Sequence, residues 1–169
     1  NQGKRYGSLH AASGTIGAGT ENVRLALLGI IFKSAGLPEQ YHLARFVMWL
    51  KDEGHYEKVK QAIESKDKNF HKELSHLYMS PIIANVLLEA IPGLASDDKE
   101  VRQLLKAEYP KVSDVTNDQM VEAMTDALTK DDKFPLTLIV LDEVQQYIDK
   151  DSSKAYQVQE VTETCSKHF

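Results

Sequence analysis

This sequence predicts a mainly α fold: a helical bundle-like insertion with one or two strands that belong to a parallel α/β sheet. Three observations carry that prediction. Apolar residues recur at helical spacing through most of the stretch from 20 to 128. The run Leu136-Thr137-Leu138-Ile139-Val140-Leu141 is six residues without a charge, bounded by Lys133 and Asp142. Continuous apolarity of that kind is expected of a strand buried on both faces, with helices covering both sides of a parallel sheet. Third, 169 residues with 42% hydrophobic content are enough for one ordinary domain with a core, which excludes disorder as the whole answer.

Each element follows from local chemistry. Leu9 to Ala12 reads as a short strand running into the Gly-rich turn SGTIGAGT, residues 13–20. Thr20 is the expected N-cap of a helix in which Val23, Leu27, Ile30 and Ile31 recur, and Leu25, Leu28 and Phe32 make it apolar nearly all round. Gly36 suits a left-handed C-terminal cap and Pro38 the first turn of the next helix, whose face holds Leu43, Phe46, Val47 and Leu50 and which Gly54 ends. Shorter helical patterns follow at Tyr56-Val59-Ile63, at Phe70-Leu74-Leu77, from Ser80-Pro81 to Ala90, and at Val101-Leu104-Leu105. Thr116-x-x-Gln119 is a capping-box pattern opening a helix with Met120, Met124 and Leu128, the seventh in a row. Past the apolar strand, Val144 to Ile148 and then Tyr156, Val158, Val161 and Cys165 return to mostly helical spacing. The chain thus divides into a strand and turn over 1–20, a helical insertion over 21–134 and the apolar strand with its following helices over 135–169, gathered in a single compact domain.

Charge and composition narrow the function classes. Twenty Lys+Arg against 25 Asp+Glu leave a net charge of −5, with acids and bases interspersed, so a phosphate-neutralising nucleic-acid groove is not favoured. No apolar window reaches the ~18 residues of a membrane span, and the N-terminus lacks a signal-peptide core. Cys165 is the sole cysteine and closes no disulfide within the chain. These features agree with a reducing, cytoplasmic setting. The chain opens on Asn1 and stops directly after a helical stretch, so it is expected to be a piece of a longer protein.

The residues that carry chemistry sit in LTLIVLDEVQQYI, residues 136–148, which has the form of a Walker B element. A buried strand ends in two acids at the carboxyl edge of a parallel sheet. Asp142 is the candidate Mg2+ ligand, since Mg2+ prefers oxygen donors and retains waters. Glu143 is the candidate catalytic residue, placed to orient or deprotonate a water. The competing reading is that both acids cap the helix that follows. Such a site also needs a phosphate loop of the form G-x-x-x-x-G-K-S/T, and the chain has none. Gly3-Lys4 is followed by Arg5, and Gly14 to Gly19 leads to Thr20 and Glu21 where Lys and Ser/Thr would stand. His71 and His76 are five apart and face differently, so they form no zinc-hydrolase pair, and Cys165 with His168 has no second pair to complete a metal site. Trp49 and Tyr41 are candidate interface anchors, although aromatic residues on helices more often belong to a core.

Two stretches, residues 13–54 and 136–148, resemble the large P-loop ATPases of bacterial phage-exclusion (BREX-type) systems, which are similar to AAA+ enzymes. Residues 55–134 show no such likeness. The resemblance implies that the strands belong to a parallel P-loop ATPase sheet, that the phosphate loop lies upstream and a sensor strand downstream, and that ATP and Mg2+ serve the full-length parent while this chain alone holds no cofactor and is not catalytic. The implied partners are the remainder of the ATPase, neighbouring subunits or defence-system proteins, with no membrane involved. A non-catalytic helical protein-interaction module is the alternative, motivated by the seven helical segments and the missing phosphate loop.

Overall fold

The computed structural model describes residues 8–169, so the Gly3-Lys4 pair lies outside the described residues. In chain order the elements are β1 (Leu9–Thr15), α1 (Val23–Ser34), α2 (Tyr41–Asp52), α3 (Tyr56–Glu64), α4 (Phe70–Ser75), α5 (Pro81–Ala90), α6 (Asp98–Glu108), α7 (Asn117–Leu128), β2 (Leu136–Asp142), α8 (Val144–Ile148) and α9 (Ser152–His168). The fold is mainly helical with a two-stranded parallel sheet.

The chain forms two compact units. One takes the described residues up to Tyr41 together with Val112–Phe169, and the other is His42–Lys111. These boundaries differ from the expected divisions at 20/21 and 134/135 and from a single compact domain. The reason is that α1 packs on β1, α7 and α9, which draws the first and seventh helices to the strands.

Helix starts follow their caps. Asn22, not Thr20, is the N-cap of α1, its side chain accepting the Leu25 N–H at 2.9 Å. Thr20 instead closes the turn, donating its N–H to the Gly17 carbonyl at 3.0 Å. Ser80 caps α5 with Pro81 in the first turn, Asp97 caps α6, and Thr116 and Gln119 complete a reciprocal capping box on α7. Gly36 sits just past α1 at φ 72°, a backbone that glycine adopts without steric cost. Pro38 precedes α2 by three residues and does not lie in its first turn.

In the first unit β1 and β2 pair in register from Leu9↔Leu136 to Thr15↔Asp142. The strand β1 is three residues longer than the reading of 9–12, because Ser13, Gly14 and Thr15 continue the ladder. Gly14 permits this. A Cβ there would lie 2.5 Å from Ile30 Cγ1, so β1 passes against α1 at a distance only glycine tolerates.

The expectation that β2 is buried on both faces does not hold among the described residues. Its exposure alternates, with Leu136, Leu138 and Val140 at 47%, 57% and 52%. Helices cover one face of the sheet, where Ala12 and Ile16 are buried, and on the other face no described element lies over Leu9, Leu138 or Val140.

The second unit packs α5 against α3, α4 and α6. Its core includes Phe46, Leu50, Val59, Ile63, Phe70, Ile83, Leu87 and Leu105. Phe46, Trp49 and Tyr109 contact one another with ring centroids 5.5 to 6.3 Å apart. Burial pushes the Tyr109 hydroxyl up to about 12, with Glu108 adding to the shift. Trp49 thus serves an aromatic cluster, as aromatic residues on helices commonly do.

Candidate functional site

The parallel pairing brings the carboxyl ends of both strands together. Thr15 is the register partner of Asp142, and one residue later the Ile16 N–H donates to the Asp142 carbonyl at 2.9 Å. The Gly-rich turn therefore begins beside the acidic pair and leads into α1. In open α/β sheets this edge, outside the carboxyl ends of parallel strands, is where ligands bind.

Asp142 and Glu143 both stand exposed at that edge. Asp142 Oδ1 accepts the Glu143 N–H at 2.8 Å, leaving Oδ2 without a hydrogen-bond partner among the described residues. Glu143 occupies the N-cap of α8 at φ 58°, ψ 17°, in the left-handed region, and its side chain makes no capping hydrogen bond. The carboxylate points instead across the turn: a Cβ on Gly17 would lie 2.9 Å from Glu143 Oε2. Helix capping therefore accounts for one amide at Asp142 and for nothing at the Glu143 side chain. A non-glycine residue in the left-handed region costs of order 1–3 kcal/mol, and such residues cluster at functional sites.

The helix behind the pair is short but pinned. Tyr147 of α8 is buried, its hydroxyl donates to Gln157 Oε1 at 2.8 Å, and Lys154 Nζ lies 5.0 Å from the ring centre. Burial raises the Tyr147 pKa, with Asp151 adding to the rise.

A polar clasp that the sequence reading missed lies at the start of α1. Arg24 donates from Nε to Asn117 Oδ1 at 2.7 Å and pairs with Asp114 at 3.2 Å and Glu160 at 3.3 Å. Asn117 Nδ2 closes the circuit on Glu160 Oε1 at 2.9 Å. The clasp ties α1, α7, α9 and the segment before α7 together. Its one signal in the sequence is a lone charge at the head of VRLALLGIIF, an otherwise apolar helical stretch.

These residues can be tested against the group the resemblance implies. Mg2+ is commonly held by one or two carboxylates together with phosphate and water oxygens, and Asp142, with a free exposed oxygen, fits one such ligand. Phosphate does not fit. The turn from Ser13 to Asn22 contains Glu21 and no Lys or Arg, Arg24 is committed to carboxylates, and Glu143 adds negative charge beside Gly17. Among the described residues no group of three or more His, Cys, Asp or Glu is arranged to hold a metal. His71 and His76 belong to no such group, nor do Cys165 and His168. No helix of the described residues is long and apolar enough to cross a membrane.

Comparison with family models, curated proteins and solved structures gives no match.

Proposed function

We propose that this chain is a segment of a larger cytoplasmic P-loop ATPase, similar to the AAA+ enzymes of bacterial phage-exclusion systems, and that it supplies the Walker B strand and a helical domain. One observation carries the reading: an acidic pair at the carboxyl end of a strand paired in parallel with a second strand, which runs through a Gly-rich turn into a helix. Asp142 is the carboxylate for Mg2+ in the parent. Glu143, held off the helix-capping role and aimed across the turn, is the residue for orienting water. ATP and Mg2+ belong to the assembled parent, because this chain has no cation in its glycine turn to meet a phosphate. Its partners are the remaining ATPase segments and neighbouring subunits or defence-system proteins.

The test is ATP turnover by the longer polypeptide carrying Asp142→Asn or Glu143→Gln. Loss in both supports the assignment. Wild-type turnover in both overturns it and leaves the helical protein-interaction module as the reading to pursue.

A further inference from the structure

The second unit is one internal stretch, His42–Lys111, and its cavities are lined without either end of the chain. One of them, of about 240 Å3, lies among α2, α5, α6 and the loop before α6. Leu87, Leu94 and Leu104 line it together with the rings of Trp49 and Tyr109, and Glu108 is its one charged residue among the described residues. The two rings are 6.3 Å apart and tilted by 46° rather than stacked. Leu104 and Glu108 stand one helical turn apart on α6 and both are exposed, which sets an apolar and an anionic group together at the mouth. The Glu108 carboxylate has no salt bridge or hydrogen bond among the described residues.

Each class of ligand meets this lining differently. An anion is repelled by Glu108 and by Glu53, whose charges add to the rise that burial imposes on the Tyr109 pKa, with Arg45 opposing them. An apolar side chain would cover the Glu108 carboxylate without pairing it, at a cost in desolvation. A lysine ammonium would pair with it, but only after shedding tightly held water. A guanidinium is weakly hydrated, its flat face packs on aromatic rings, and its edge meets a carboxylate through two parallel N–H donors. The aliphatic stem behind it suits a wall of leucines.

We propose that this cavity is a docking site for an arginine side chain of a partner protein, its guanidinium laid against the rings of Trp49 and Tyr109 and paired with Glu108 at the mouth. The site belongs to the second unit alone and rests on none of the ATPase chemistry, so it stands or falls separately from the roles of Asp142 and Glu143.

Trp49 is the sole tryptophan, so its emission reports on this cavity in the intact chain. The probes are acetyl-Gly-Arg-Gly-amide and its lysine and citrulline counterparts, citrulline keeping the shape of arginine without its charge. The arginine peptide should change the emission saturably, with a Kd of about 1 to 10 mM for so small a ligand. The lysine peptide should bind more weakly and the citrulline peptide about tenfold more weakly or worse. Glu108→Gln, a change of charge at an exposed site, should weaken the arginine peptide several-fold and leave the citrulline peptide as it was. The amide resonances of Leu94 and Leu104 and the Trp49 indole N–H, followed in the same titration, report binding that leaves the emission unchanged. No saturable change in emission or resonances up to about 20 mM, a few times the expected Kd, overturns the proposal. So does a citrulline or lysine peptide that binds as tightly as arginine, or an arginine affinity that Glu108→Gln leaves intact.

Discussion

Glu143→Gly should make this chain more stable while removing its candidate catalytic group. Glu143 sits at φ 58°, ψ 17° and its exposed side chain makes no hydrogen bond, so folding gains little from the carboxylate and bears the left-handed backbone. Relief of that conformation is worth about 1–2 kcal/mol, and the added freedom of glycine in the unfolded chain takes back about 0.5–1 kcal/mol. The net expectation is a gain of up to about 1.5 kcal/mol, against no gain for Glu143→Ala, which keeps a Cβ in the same conformation. Urea unfolding of the wild type, the glycine variant and the alanine variant, followed by circular dichroism, separates backbone from carboxylate. Equal stability of the glycine and alanine variants would refute the strained-backbone account, and destabilisation of both would show that the carboxylate serves the fold.

Arg24→Ala should destabilise the first unit by about 2–3 kcal/mol, because it leaves Glu160 and Asn117 without their largely buried donor, and Arg24→Lys should recover only part of this since an ammonium cannot serve three partners in one plane; thermal unfolding of both variants measures it. His42 is buried, and desolvation, with the nearby Lys111 charge, lowers its pKa below the usual 6.5. The unfolded state therefore takes up a proton that the folded state resists, so stability is complete above about 6.5 and falls as pH drops through 6.5 toward the lower folded value; His42→Gln should flatten the pH 7 to 5 part of the stability profile. Calorimetric titration of Mg-ATP into the chain should show no tight binding, whereas a Kd near ~1 μM, about −8 kcal/mol, would reveal a complete phosphate site.

The elements were legible wherever one residue type decides a local geometry. Ser80-Pro81, Thr116 with Gln119, and the glycines at 36 and 54 mark helix boundaries that the structure shares. Thr20 misled because Asn22 competes two residues later with a side chain better suited to the Leu25 amide. The direction of β2 was readable from its uncharged run, but its exposure was not, since cover on a sheet face depends on elements elsewhere in the chain. The acidic pair stood out as two carboxylates after an apolar strand. Its left-handed backbone and the approach of Glu143 to Gly17 did not, because they depend on pairing across 127 residues, from Thr15 to Asp142. The Arg24 clasp was hidden for the same reason, joining residues separated by 93 and 136 positions.

The central claim is the proposal that Glu143 acts on water rather than on structure, and nucleotide binding measured beside turnover in the proposed parent ATPase addresses it directly. With Glu143→Gln, an isosteric change at an exposed site, nucleotide binding should persist while turnover falls by about 10²- to 10⁴-fold, the usual loss for a positioned acid–base group. Turnover at the wild-type rate would contradict the account.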